Sequence, residues 1–424
     1  IGFFLPELLK ADKVLLGRDV RLSSDEIYDA VVEGVTDAGA DVYDLGLSTT
    51  PMVYFATARY GFDASIQITA SHNAKEYNGM KVSRTNALPV GFDTGLGEIK
   101  RWIEEGRQMK IEKEKGKVIK FDKRDDYLTF LNGYKEDYSN LKIGMDLSNG
   151  MAALFVKDIF GDQPLYICDK MDGNFPNHEP NPLVEKNRED LKKLVLDNGC
   201  DVGVIYDGDA DRVMFIDENG RFISPDLMIA LLGHYFLEEK GEKGAVLQDI
   251  RSSKAVGEYL TPMGAEMHTW RVGRAFAAHK LRELNGVFGG ELAGHYYFRD
   301  FYYSDSGILA SLLILNVIAK LKNQGLSLSQ QISRIEKYQN SGEINFKIES
   351  KKEAMDAVRD YFTSQEQPTA SFDFDGYRVE FNDWWFNVRP SNTEPYLRFL
   401  CEASTKELLD KKVSKTKEII NNFK

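Results

Sequence analysis

Between Lys13 and Leu321, short apolar runs suited to strands alternate with segments of helical period, and this alternation restricts the fold more than any other feature. Lys13–Gly17 reads as a strand, and Ser23 with Glu26 makes a capping box for a helix that runs to Asp37 and ends at Gly39. Asp41–Leu45 is the next strand, Met52–Tyr60 a helix and Ser65–Ile68 a third strand. Strands joined through helices run parallel, and the helices cover both faces of the sheet. The pattern begins again at Lys142–Asp146. It recurs from a helix over Leu227–Leu237, through strands at Ala245–Leu247 and Val287–Phe288, to a long apolar helix over Asp305–Leu321. These read as three units of one architecture without a residue-level repeat. After about Ser341 the order changes. A strand at Glu343–Ile348, a helix at Lys352–Phe362, three short strands between Ser371 and Leu400 with a turn at Asp375-Gly376, and a final helix predict a small α+β domain.

A chain of 424 residues is too long for one ordinary core, so several domains are expected. The divisions read as 1–118, 119–222, 223–338 and 339–424. The chain enters partway through a helix at Ile1–Leu5, and a preceding segment is expected to be missing. No apolar run approaches the roughly 20 residues that span a bilayer. Cys168, Cys200 and Cys401 are odd in number and widely spaced, which favours a reducing cytoplasm over a disulfide framework or a zinc pattern. The net charge is 54 − 66 = −12, a poor match for nucleic acid or an anionic membrane. An anionic substrate would need a local cluster of Arg and Lys.

Three carboxylates alternate in Asp207-Gly208-Asp209-Ala210-Asp211-Arg212, directly after the apolar run Val202–Tyr206. Such crowding is self-repelling unless a cation sits among the oxygens, so the segment reads as a divalent-metal site. An EF-hand loop is excluded at its sixth position, where Arg212 replaces the turn glycine, and by Val213–Ile216, which reads as a strand. Ligands of open parallel sheets gather at the carboxyl ends of strands. Ser71 in Thr69–Asn73 follows another apolar run, so hydroxyl and metal are expected to face one site. Ser71-His72 is not a hydrolase pair, since adjacent residues seldom bond as nucleophile and base and no G-x-S-x-G is present. A phosphoserine there would carry close to two negative charges, which the metal and Lys81 could offset. Glu291 and His295, packed among glycines in Gly289–His295, suit sugar hydroxyls, and Arg389, Ser391, Asn392 and Thr393 suit a dianionic phosphate. His178, His234, His268 and His279 read as structural or surface residues.

Six segments, in this order, resemble the α-D-phosphohexomutase superfamily over essentially the whole chain. They are Gly17–Ser23, Thr69–Lys81, Asp172–His178, Asp207–Arg212, Gly290–His295 and Arg389–Pro395. The likeness is to its bacterial phosphomannomutase/phosphoglucomutase branch. The resemblance implies three similar α/β domains with mixed, mainly parallel sheets and a smaller C-terminal α+β domain around a central cleft. It implies that Ser71 is phosphorylated and shares Mg²⁺ with Asp207, Asp209 and Asp211. By the same matching Arg212 contacts the phosphoserine region, Lys81 and His295 assist proton transfer, and Glu291 grips sugar hydroxyls. Arg389, Ser391, Asn392 and Thr393 hold the phosphate that is not reacting, and Arg18, Arg274 and His295 belong to the substrate site. The implied reaction exchanges phosphate between the 1- and 6-positions of mannose or glucose, with a hexose 1,6-bisphosphate as intermediate and activator. The enzyme is expected to be a cytoplasmic monomer or homodimer that binds a phosphosugar, without nucleic acid or membrane.

Four positions depart from the branch. An N-terminal segment supplying an active-site Arg is absent, Ala293 stands for a serine, Arg274 for a His and Ala74 for a Pro. A phosphoglucosamine mutase is a weaker alternative, because that branch usually has Gly where this chain has Asn392. A haloacid dehalogenase-type phosphatase would use Asp207 as nucleophile and Asp209 as acid/base, but Asp211 occupies the place of its Thr or Val. A sugar-phosphate-binding protein without turnover would not need to keep both Ser71 and the acidic triplet.

Overall fold

The computed structural model describes residues 1–110, 114–391 and 395–423. Its first three sheets share one wiring. In the first, the strand Lys13–Arg18 lies between Asp41–Leu47 and Ala64–Ile68, parallel to both, and Met80–Arg84 returns antiparallel beside the third. In the second, Ile143–Asp146 lies between Leu165–Ile167 and Val202–Tyr206, with Val213–Asp217 returning. In the third, Gly244–Asp249 lies between Ala265–Trp270 and Phe288–Gly290, with Tyr296–Phe298 returning. Each unit therefore reverses the chain at the carboxyl end of its third strand, where an open parallel sheet presents ligands. The three reversals are the segments that carry Ser71, the acidic triplet and Glu291–His295.

The fourth sheet is antiparallel throughout, in the order Gln339–Asn340, Tyr396–Ala403, Trp384–Pro390, Tyr377–Glu380, Ala370–Phe372, with Ile344–Lys347 also paired to Tyr396–Ala403. Four strands rather than three thus lie between Ala370 and Ala403. The strand Val118–Lys120 pairs with Asp41–Leu47, and Phe222–Ile223 with Val213–Asp217, so divisions after 118 and after 222 would cut sheet strands.

The helix Gly307–Asn323 is almost wholly buried, and each Leu or Ile it removes from water contributes about 1.5–3 kcal/mol. It ties the second unit to the third: Tyr206 donates to Ser311 Oγ (2.6 Å) and Asn316 to the Tyr134 carbonyl (2.9 Å). Ser306 caps its start by accepting from the Leu309 N–H. The capping box expected at Ser23 and Glu26 does not form. The helix begins at Ser24, and Asn78 instead donates to the hydroxyls of Ser23 (2.9 Å) and Ser24 (3.0 Å), tying this turn to the segment after Ser71. The helix expected over Leu227–Leu237 runs Pro225–Gly233 and widens into a π-type turn, and the opening helix spans Leu5–Leu9.

Candidate active site

Ser71 sits in the first reversal with a left-handed backbone (φ 53°), as does Ala210 in the second (φ 63°). Such conformations are costly for residues with a Cβ and collect where a loop is held for function. Two glycines make the approach of these loops possible. A Cβ on Gly208 would lie 2.5 Å from the Ser71 carbonyl oxygen, and one on Gly307 would lie 2.6 Å from that of Arg212. Arg21 builds the underside of the serine loop. Its guanidinium is fully buried and donates to the carbonyls of Ser71 (2.8 Å), Asn73 (2.7 Å), Ala74 (2.8 Å) and Tyr77 (3.1 Å), while Asp19 pairs with its Nε.

Ser71 Oγ donates to Asp207 Oδ2 across 3.1 Å. Ligand oxygens of Asp207, Asp209 and Asp211 lie within 4.8 Å of one another, all three residues are fully buried, and Asp209 Oδ1 and Asp211 Oδ1 have no hydrogen-bond partner among the described residues. Burial, then the charges of Asp209 and Asp211, push the Asp207 carboxyl well above the usual carboxylate range. Three crowded carboxylates with unspent oxygens facing a serine hydroxyl fit a hard, oxygen-seeking cation. Lys81, on the returning strand Met80–Arg84, bridges Asp209 (2.6 Å) and Asp211. Burial works against its charge, yet the two carboxylates more than offset this and hold its pKa above the usual lysine value. Thr50, at the start of the helix Thr50–Arg59, donates its hydroxyl to Asp209. His72 makes no bond to Ser71: its buried Nδ1 is unpartnered, and burial, Arg212 and Lys81 lower its pKa to about 3, so it stays neutral.

The second reversal meets the third through Arg212, whose Nε donates to His295 Nε2 (2.9 Å) and lies 3.7 Å from Asp207. His295 therefore carries its proton on Nδ1, which donates to Asp305 Oδ2 (2.6 Å). Asp305 also takes Arg274 Nε (3.0 Å), and the Arg274 guanidinium lies 3.7 Å above the Tyr54 ring. Burial opposes the charge of Asp305, but His295 and Arg274 hold its pKa down at about 2. Glu291 accepts from Tyr297 OH (2.6 Å). Its loop is pinned by Asp249, which accepts the Leu292 N–H (2.8 Å) and pairs with Arg251 (2.7 Å).

Eight of the residues singled out in the sequence, Ser71, Lys81, Asp207, Asp209, Asp211, Arg212, Arg274 and His295, thus join one network. Arg18 does not join it, being paired with Asp25 (2.5 Å) beneath the Tyr28 ring. Arg389 is buried on the strand Trp384–Pro390 and lies 3.4 Å from Asp375, and the Ser391 N–H donates to the Tyr396 carbonyl (2.9 Å). Asn392 and Thr393 lie outside the described residues. Sequence reading missed Arg21, Thr50, Asp249, Arg251 and Asp305. Asp249 and Arg251 had a signal, since they too lie at the carboxyl end of a central strand, Asp249 as its last residue.

Four family models match in chain order. They are described as phosphoglucomutase/phosphomannomutase alpha/beta/alpha domain I over residues 1–110, domain II over 125–220, domain III over 224–338, and the C-terminal domain over 343–418. A phosphomannomutase of Escherichia coli strain K12 is 36% identical, covering 96% of this chain and 93% of that protein. A protein of Xanthomonas campestris pv. campestris named phosphohexose mutases is 36% identical over 95% and 90%. A solved phosphoglucomutase/phosphomannomutase family protein from Burkholderia thailandensis superposes with a TM-score of 0.86 at 25% identity, over 99% of this chain and 92% of that one.

Proposed function

The chain belongs to the phosphoglucomutase/phosphomannomutase family and is a hexose-phosphate mutase, for which we propose a phosphoserine mechanism centred on Ser71. The observation that carries this reading is Ser71 Oγ at 3.1 Å from Asp207, in a carboxylate cluster where Asp209 Oδ1 and Asp211 Oδ1 have no hydrogen-bond partner among the described residues. Asp207, Asp209 and Asp211 would hold Mg²⁺ together with a phosphoserine oxygen. Bound there, the ion supplies positive charge against the charge that develops on the transferring phosphoryl group.

The chain's own residues do the rest. Arg21 fixes the serine loop, so phospho-Ser71 is presented in line with a sugar hydroxyl. The bond from phosphorus to Ser71 Oγ breaks as the bond to the sugar oxygen forms. The hydroxyl proton goes to His295 Nε2 once the Arg212 Nε–H that occupies its lone pair in this structure turns to the phosphoryl group, whereas the Lys81 ammonium is held in its ion pairs. Glu291 has one carboxylate oxygen taken by Tyr297 and turns the other to sugar hydroxyls. The resulting hexose 1,6-bisphosphate turns end for end and returns its other phosphate to Ser71. Arg389, Ser391, Asn392 and Thr393 must then accept a phosphate from either end of the sugar. A trace of the same bisphosphate serves as activator.

Glu291 reads hydroxyls that mannose and glucose share, so both 1-phosphates are proposed as substrates. We place the reaction in a reducing cytoplasm, in keeping with three unpaired cysteines, and expect a monomer or homodimer without nucleic acid or membrane partners. Among the described residues no helix is long and apolar enough to cross a membrane. The strand pairings support domain divisions at 1–120, 121–223, 224–338 and 339–424.

The test is ³¹P NMR with Mg²⁺, a trace of hexose bisphosphate and mannose 1-phosphate or glucose 1-phosphate in parallel tubes. A 6-phosphate signal that disappears in Ser71→Ala supports the mechanism and ranks the sugars. Turnover that survives Ser71→Ala removes the phosphoserine, and release of inorganic phosphate in its place makes the protein a phosphatase.

A further inference from the structure

Each of the three repeated units ends its central strand on an aspartate turn, but only the first and third set an arginine against that aspartate. In the first, Asp19 accepts the Arg21 N–H (3.0 Å) and pairs with its guanidinium (3.1 Å). In the third, Asp249 accepts the Arg251 N–H (2.6 Å) and pairs with its guanidinium (2.7 Å). In the second, Asp146 accepts the Ser148 N–H (2.8 Å) in the same turn, but Ser148 offers no cation. His178 Nε2 at 2.9 Å and the thiol of Cys168 occupy that place instead.

Carboxylate, imidazole and thiol atoms of Asp146, Cys168 and His178 all lie within 4.8 Å of one another. Ligand atoms around a tetrahedral zinc are about 3.3–3.7 Å apart, given bonds of about 2.0–2.3 Å, so the cluster closes onto an ion with small side-chain shifts. His178 Nδ1 faces the Glu179 carbonyl at 2.8 Å, which can only accept. Asp146 Oδ2, 2.9 Å from Nε2, accepts as well, so without a metal both ring nitrogens carry hydrogen. The carbonyl keeps the Nδ1 hydrogen in place while an ion at Nε2 would displace the other, the arrangement a backbone carbonyl imposes on a metal-binding imidazole. The Asp146 side chain is fully buried and that of His178 nearly so, while Cys168 is partly exposed and leaves a way in.

We propose that Asp146, Cys168 and His178 form a second metal site, for Zn²⁺ or a similar borderline-soft divalent ion, distinct from the all-oxygen site beside Ser71. Thiolate and imidazole select against Mg²⁺, so the two sites differ in the ion they take. The new site lies directly behind the acidic triplet. Pro180, two residues beyond His178, abuts Gly208, and the Met151 N–H donates to the Gly208 carbonyl (2.9 Å) from the loop that follows Asp146. An ion joining Asp146, Cys168 and His178 would therefore brace both segments that hold Gly208 between Asp207 and Asp209.

The test is Co²⁺ titration of the full chain under reducing conditions, read by absorption, followed by competition with Zn²⁺. The expected result is a thiolate-to-cobalt charge-transfer band of one equivalent that Zn²⁺ displaces and excess Mg²⁺ does not. The band is lost in Cys168→Ser, weakened at least ~10-fold in apparent affinity in His178→Gln, and kept in Asp209→Asn. No band in the parent protein overturns the proposal. So does a band that persists in Cys168→Ser, since it would belong to Cys200 or Cys401. Thermal melts without metal establish that each variant is folded, and the two variants give independent readings. Because the readout is binding rather than turnover, the result stands apart from the Ser71 mechanism.

Discussion

At the scale of the residue, Asp305 shows how a site can depend on a fully buried side chain. Its two oxygens are divided between His295 and Arg274, so one carboxylate sets both the tautomer of the imidazole and the position of the guanidinium. Asp305→Asn removes the charge that faces both. Turnover should fall on the order of 10²-fold, the low end of what acid–base catalysis contributes, while KM for the hexose phosphate changes only a few-fold. The pH–rate profile of the variant should shift along its pH axis, and an unchanged profile would make Asp305 a packing residue. Ser71 and the acidic triplet were legible in sequence because they are contiguous motifs whose chemistry shows without a partner. Asp305 and Thr50 were not. Each is an ordinary residue until folding sets it against His295 or against Asp209, which is 159 positions away from Thr50.

At the scale of the element, the start of the buried helix Gly307–Asn323 holds the acidic loop. The Gly307 N–H donates to the Ala210 carbonyl (3.1 Å), and the absence of a side chain lets the Arg212 carbonyl close over it. Backbone atoms cannot swing aside as a flexible side chain can. Gly307→Ala should therefore cost about 1–3 kcal/mol of stability and weaken the binding of Mg²⁺, seen as a lower melting temperature and a raised metal requirement. Gly161→Ala, where a Cβ would meet nothing within 4 Å but the backbone has φ 62°, separates strain of the backbone from collision and should leave the metal requirement alone. The alternation of strands and helices was readable because hydrophobic period reports burial directly. The Ser23–Glu26 cap was read and is not formed, because Asn78 supplies a tertiary bond that competes with the local one.

At the scale of the whole molecule, the fourth domain docks on the third through buried polar groups. Arg378 donates to the carbonyls of Ile250 (2.9 Å) and Ser252 (2.6 Å) and lies over Trp385, while Glu402 accepts from Ser253 (2.7 Å) and Trp385 (2.8 Å). Burial, and then the charge of Asp226, raise the Glu402 pKa from 4.5 to about 7. A carboxyl raised on folding stabilises the protein below its unfolded pKa, and that contribution is lost as pH climbs through the folded value. The window is therefore pH 4.5 to about 7, and the loss is on the order of 3 kcal/mol. Stability to urea should decline across this window, and Glu402→Gln should flatten the decline. A slope that the variant leaves unchanged assigns the dependence to another group.

The sequence by itself determined the fold class, the three-fold recurrence of strand and helix, and the proposed nucleophile and metal ligands. Each of these is written in local period or in contiguous chemistry. Only the tertiary structure decided which hydroxyl faces which carboxylate, that His295 carries its proton on Nδ1, and that Arg18 is spent on Asp25 while Arg21 builds the serine loop. It also brought Asp146, Cys168 and His178 together. The physical reason is common to all of them. A side chain's role is set by the partner that removes it from water, and that partner lies in a segment whose approach no local pattern encodes.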